Sequence, residues 1–434
     1  MYYGKIWKVF TGRYAMRRKW GLTSHRLIFV VYLFLMTGAC GGGGGGGTDS
    51  LLYFRADNGV NGAELWASDG TASGTTLVLD LNPGLSDSDP MNLFPFEGTL
   101  YFSAADGARG HELWATDGSP AGTNLVLDIA PGANASGPRD FTVFDDRIFF
   151  QANDKVRGVE LWATDGTAAN TTLIADINPG PGNSDPRNLT VLGSTMYFSA
   201  GDASRGSELW ATDGTAAGTT LIAEIRPGAS SSGPGYMVAF NGRLYFTADD
   251  GSRGGELWTS DGTAAGTTIV KDIWPGPEES DPTGTIQYNG RLYFAAVDGN
   301  IGAELWATDG TAAGTTLVVD IWPGDNNSES APDNFVIYNG LLYFSARDDR
   351  GTELWATDGT AGGTTLVADI WPGPDSSFPG EMAVYDDMLY FRATDETRGT
   401  EMWVTNGSAG GTTLVKDIWA GGSDSDPGYL TVFP

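Results

Sequence analysis

Short apolar runs separated by glycine-rich polar punctuation fill the chain from residue 51 to its end. Residues 236–240 (Tyr-Met-Val-Ala-Phe) are one such run, and the Asn241-Gly242 pair that follows favours a two-residue type I′ hairpin turn. Residues 243–248 are rich in β-formers, 249–255 make a polar loop, 256–260 a third run, 261–266 a turn and 267–273 a fourth run. The pattern predicts four antiparallel strands, here a, b, c and d. Strands b and d carry apolar residues at adjacent positions, as in Leu244-Tyr245-Phe246, so both faces of the sheet are expected to be covered. No stretch of these repeats keeps a helical apolar period free of Gly or Pro.

The same unit recurs eight times around Glu-Leu-Trp-x-x-Asp-Gly-Thr. Its tryptophans, Trp66, Trp114, Trp162, Trp210, Trp258, Trp306, Trp355 and Trp403, are spaced by 48 residues, with one interval of 49. A fixed period of this length signals a solenoid, a propeller or an array. Radial stacking covers both faces of every sheet and leaves only short protected edges. The ends favour closure. The repeats begin with a strand b at 51–54 and finish with a strand a at 429–433, and neither end carries the polar cap an open solenoid needs. The expectation is an all-β, eight-bladed β-propeller over residues 51–434, closed by pairing the C-terminal strand with the N-terminal blade. The motif resembles the bacterial ELWxxDGT repeat family of surface and secreted proteins, with departures at Met402, Asn406, Ser408 and Ser119. That resemblance implies a cell-surface address and no particular activity.

Charge narrows the partners. The net charge is −29; residues 1–39 hold seven Lys/Arg and no acid, leaving 18 basic against 54 acidic residues, or −36, for the rest. Such a domain is ill suited to nucleic acid, whose phosphates require Lys and Arg, and to anionic lipid headgroups. It suits solubility, divalent cations or cationic partners. The lone Cys40 excludes an internal disulfide and a cysteine-based zinc cluster, and His111 is the one histidine outside the leader. In that leader, Arg17, Arg18, Lys19 and Arg26 precede an apolar run at 27–36 and the small residues Thr37, Gly38 and Ala39. Residues 1–39 read as a secretory signal, too short to span a membrane comfortably; Met16 is an alternative start. The segment resembles a bacterial lipoprotein signal, which implies that Cys40 is lipidated and that residues 40–50, with glycines 41–47, form a flexible tether. Thr37 stands where that pattern usually has Leu. The implied location is the bacterial cell envelope, as an outer-membrane lipoprotein facing outward, or the secreted fraction.

Several residue series are candidate sites. The eight motif tryptophans fit packing between blades, or ligand platforms. The Asp-Gly-Thr turns fit backbone capping, or metal binding. The Glu opening each strand c has an Arg three residues earlier in six repeats (Arg109, Arg157, Arg205, Arg253, Arg350 and Arg398), which suggests a ring for an anionic ligand or a local Arg–Glu brace. After strand d stand Trp274, Trp322, Trp371 and Trp419, where earlier repeats have Asn82, Ala130, Asn178 and Arg226. A position that tolerates Asn and Arg is expected to be partly exposed, so this arc of four blades suits stacking on sugars or a protein, or packing on a nearby loop. Asp87, Asp89, Asp424 and Asp426 are weak calcium candidates without a calcium-loop pattern, so no metal site is assigned and calcium is the one cofactor considered. No repeat departs from its neighbours as a single active site would, and no catalytic residue is expected. The reading is a monomeric, non-enzymatic, lipid-anchored propeller that binds protein or carbohydrate. The alternatives are a secreted polysaccharide-acting enzyme with carboxylates in its channel, and a structural envelope component without a discrete ligand.

Overall fold

The computed structural model describes residues 50–324 and 329–434. The leader, Cys40 and the tether lie outside the described residues. Each repeat forms one sheet of four antiparallel strands in the spatial order a-b-c-d, and there are eight such sheets. In the fifth blade the strands are Gly235–Phe240, Arg243–Asp249, Gly255–Ser260 and Thr268–Lys271. Asn241 and Gly242 both have positive φ, 49° and 75°, as a type I′ turn requires. Strand d is shorter than its apolar run suggested and only half-buried, because it is the outer edge of the blade.

The ring closes as expected. Strand Gly428–Phe433 pairs with Leu51–Asp57, Leu51 opposite Phe433 and Tyr53 opposite Thr431. The joint is packed: Leu52, Phe54 and Trp66 of the first blade bury against Tyr390, Met402 and Ile418 of the eighth. Lys416 Nζ donates to the Thr75 carbonyl at 2.6 Å, and the Tyr385 hydroxyl donates to that of Ser50 at 2.6 Å.

The motif explains itself blade by blade. Each strand-c Trp is at most 9% exposed. Trp210 packs on Phe149, Leu161 and Ala163 of the preceding blade, so these rings are cement between blades rather than platforms. In the turn, Asp69 Oδ1 accepts from the Thr71 backbone N–H (2.9 Å) and hydroxyl (2.7 Å), and the Thr71 hydroxyl accepts from Gly74 N–H (3.0 Å). Asn406 substitutes because its Oδ1 accepts the same two bonds, from Ser408. The turn glycine has positive φ, and in seven of the eight blades a Cβ there would fall on the strand-b tyrosine hydroxyl of the preceding blade, as Gly118 does on Tyr53 and, across the joint, Gly70 on Tyr390. Only glycine meets both demands.

Candidate functional site

The a–b and c–d turns form one face of the ring. The b–c and d–a loops form the other, where the chemistry is richer. The Glu that opens strand c is wholly buried in all eight blades. Glu160 Oε2 accepts from Ile177 N–H (2.7 Å) and the Ser184 hydroxyl (2.7 Å), and Oε1 from Ser184 N–H (3.0 Å). The bond to a serine hydroxyl recurs in every blade. The carboxyl thus clamps the d–a loop to its own blade. Burial pushes Glu64, Glu160, Glu256, Glu353 and Glu401 up to about 7, against the pull of those hydrogen bonds. The site accommodates the proton. Ser184 Oγ also lies 3.3 Å from the Val159 carbonyl. When Glu160 is neutral it donates to Ser184, whose own proton turns to that carbonyl. The serine, always two residues before a proline, was visible in the sequence and carried no reading there.

The arginines three residues before these glutamates do not brace them. Arg109, Arg157, Arg205 and Arg398 pair instead with an Asp three residues earlier, Asp106, Asp154, Asp202 and Asp395, at 2.5–2.8 Å. Arg253 pairs with Asp250 at 3.6 Å and Arg350 with Asp348 at 2.8 Å. The physical reason is direction: the Glu side chain enters the blade, while the Arg sits in a loop turned by the Asp, as in the Arg109 N–H to Asp106 Oδ1 bond of 2.8 Å. For Asp154, burial works against ionisation, but the Arg157 and Val156 N–H groups and the Arg157 charge hold the carboxyl below its ordinary value. Each arginine therefore already carries a counter-charge, which weakens the anionic-ligand reading.

The acidic loops divide in two. Asp87 and Asp424 accept backbone N–H groups, Ala63 at 2.8 Å and Thr400 at 2.7 Å, a task Asn183 and Ser376 perform in other blades. Asp89 and Asp426 belong to an ion-pair chain around the channel mouth: Arg392 to Asp426 (2.8 Å), Asp426 to Arg55 (3.6 Å) and Arg55 to Asp89. That chain crosses three blades, including the closing joint. Among the described residues no three acidic, histidine or cysteine side chains converge as metal ligands would. Asp89 and Asp426 each precede a proline, where an extended backbone is the rule. It is left-handed instead, with φ of 48° at Asp89 and 46° at Asp426, because the serine clamp turns the loop there.

The second tryptophan series is half-buried at all four positions. Trp274 and Trp419 lie over Gly299 and Gly59 in the next blade's b–c loop, as Asn82 does over Gly107 and Arg226 over Gly251. For these two, local packing is the outcome. Trp322 is different: the exposed Arg347 guanidinium stacks 4.9 Å from its ring centroid. Both line a cleft of about 590 Å³ over the seventh and eighth blades, with Asp333, Asn334, Phe378 and Arg392. Phe378 is 62% exposed at φ 49°, where other blades place Asp, Gly or Ala. The sequence reading missed Phe378 and Arg347; the signal for Phe378 was an aromatic at a position otherwise held by turn-forming or small residues.

Neither a family model nor a curated protein matches the chain. Solved structures do. A prolyl endopeptidase is similar over 76% of this chain and 49% of its own, at 13% identity and a TM-score of 0.51. Prolyl oligopeptidase B from Galerina marginata, bound to a 35mer hydrolysis and macrocyclization substrate, is similar over 80% of this chain and 51% of its own, at 10% identity and a TM-score of 0.51. The computationally designed Ika8 protein is similar over 76% of this chain and 87% of its own, at 13% identity and a TM-score of 0.47. The chain thus spans about half the length of the two peptidase chains. At these identities the likeness is one of fold, and the fold is that of a β-propeller.

Proposed function

We propose that the chain is a non-enzymatic, lipid-anchored surface propeller of the ELWxxDGT type, which binds a carbohydrate or protein partner with the face built from the b–c and d–a loops. The observation that carries this reading is the cleft over the seventh and eighth blades. There the eightfold pattern breaks: Phe378 is presented to solvent at a position where the other blades place Asp, Gly or Ala, and the half-buried Trp322 carries Arg347 on its ring. Function carried on loops over a rigid scaffold is the usual arrangement. Asp89 and Asp426 are each engaged by an arginine, which fits a structural use of these carboxylates. Ser50 lies beside the a–b turn of the eighth blade, through its bond to Tyr385, so a short tether from Cys40 would turn the cleft away from the membrane. A screen of the purified full chain against glycans and envelope proteins tests the proposal. Saturable binding without turnover is expected. Turnover of a polysaccharide that is lost in Asp333→Asn or Asp426→Asn would overturn it.

A further inference from the structure

We infer that the cleft over the seventh and eighth blades is a subsite for a neutral oligosaccharide, whose sugar rings stack on Phe378 and against the Trp322–Arg347 pair. This rests on the binding reading above and gives its ligand a chemical class. The first argument is Phe378 itself. A left-handed backbone at φ 49° disfavours a bulky residue, and 62% exposure leaves most of its ring in water. The loop is turned by other groups: the Ser377 and Phe378 N–H groups both donate to the Thr352 carbonyl at 3.1 Å. The turn therefore does not depend on an aromatic there, and the seven equivalent positions use none.

The second argument is the pairing of charge. Arg392 and Asp426 are matched at 2.8 Å, and Arg347 lies on the Trp322 ring. Asn334 Nδ2 donates to Ser345 Oγ at 3.1 Å. Such groups present donors and acceptors side by side without a strong excess of charge. A sugar ring needs this combination, since it offers an apolar face of C–H bonds and a rim of hydroxyls that both donate and accept. The −36 balance of residues 40–434 further disfavours a polyanionic glycan by long-range repulsion. The third argument is size. A cleft of about 590 Å³ falls within the roughly 300–1,000 Å³ of small-ligand sites. A protein partner would instead require a contact of about 800 Å² per side.

The test is calorimetric titration of the purified full chain with hexasaccharides of β-1,4-glucose, α-1,4-glucose and β-1,4-mannose, with a uronate hexasaccharide and an arginine-rich peptide beside them. At least one neutral hexasaccharide should bind and the uronate should bind more weakly. Phe378→Gly, which copies two other blades, and Trp322→Asn, which copies two more, should each weaken binding about tenfold, the size of one lost stacking contact. Phe378→Gly should not melt earlier than the parent, and Phe378→Tyr should retain binding. Tighter binding of uronate or peptide, no neutral binding, or indifference to both variants overturns the inference. If an envelope protein binds and Phe378→Gly abolishes that, the glycan class falls while the binding face stands. If no partner of any class uses this face, both fall.

Discussion

Removing one buried carboxyl tests how the d–a loops are held. In Glu160→Ala the Ile177 N–H loses its acceptor inside the protein, while the Ser184 N–H keeps the Val159 carbonyl at 3.0 Å and the Ser184 hydroxyl keeps it at 3.3 Å. One orphaned buried N–H costs about 1–3 kcal/mol, and two weakened bonds about 0.5–1.5 kcal/mol each, so a loss of about 3–4 kcal/mol is expected. In Glu160→Gln the amide oxygen can keep Ile177 and the serine hydroxyl while its NH₂ opposes the Ser184 N–H, a smaller loss of about 1–2 kcal/mol. The pH dependence has a definite sign. The folded carboxyl titrates at about 7 against 4.5 as the ordinary value, so between those values the native state holds more protons than the unfolded chain. Wild-type stability then falls as pH rises from 4.5 through 7, and the gap to the Gln variant narrows across that window. Urea denaturation at pH 5, 6, 7 and 8 measures both. A cost below about 1 kcal/mol for the Ala variant would show that the clamp holds nothing. A gap that stays constant from pH 5 to 8 would show that the three donors win over burial and that the group is a carboxylate throughout.

Deleting residues 428–434 removes the buried Leu430 and Phe433 and the strand that closes the ring, so cooperative melting should be lost or fall far; an unchanged transition would reject closure by that strand. Gly118→Ala puts a Cβ at φ 91° onto the Tyr53 hydroxyl and should cost about 1–3 kcal/mol, partly rescued by Tyr53→Phe; no rescue would mean the inter-blade contact is not the cause. Cys40→Ser should release the protein from membranes or block its maturation, and normal processing with unchanged detergent partitioning would end the lipoprotein reading. Ser230 and Ala265 are both exposed in the ring, on opposite faces. As single cysteines in the Cys40→Ser background, once an N-terminal lipid-independent anchor holds that chain on intact cells, Ser230→Cys should label with a bulky reagent faster than Ala265→Cys; equal rates would reject the proposed orientation.

The fold was legible because repetition multiplies a weak signal. One Glu-Leu-Trp unit predicts a strand; eight at a fixed period predict a ring, and the end strands at 51–54 and 429–433 predict how it closes. Side-chain direction was much less legible. Arg109 and Glu112 are three residues apart across a glycine, and proximity alone suggested a pair. The loop reverses between them, so the guanidinium meets Asp106 and the carboxyl meets Ser136, 24 residues on. Exposure was legible for the second tryptophan series because Asn and Arg share its positions. The split between packing (Trp274, Trp419) and cleft (Trp322) was not, since it depends on whether the next blade offers a glycine or Arg347 to the ring. Phe378 was the opposite case: the sequence contained the departure, but only the positive φ and the exposure reveal that it is costly to the fold.

The central claim is that a symmetric ring carries one asymmetric face and that this face binds. Whichever partner the screen returns, its affinity can be compared for the parent chain, for Phe378→Gly combined with Trp322→Asn on the cleft face, and for Val143→Asn, an exposed position beside the a–b turn of the third blade on the opposite face. The account predicts a loss of about a hundredfold for the cleft variant, two stacking contacts' worth, and parental affinity for Val143→Asn. Loss in Val143→Asn with the cleft variant unaffected would contradict it.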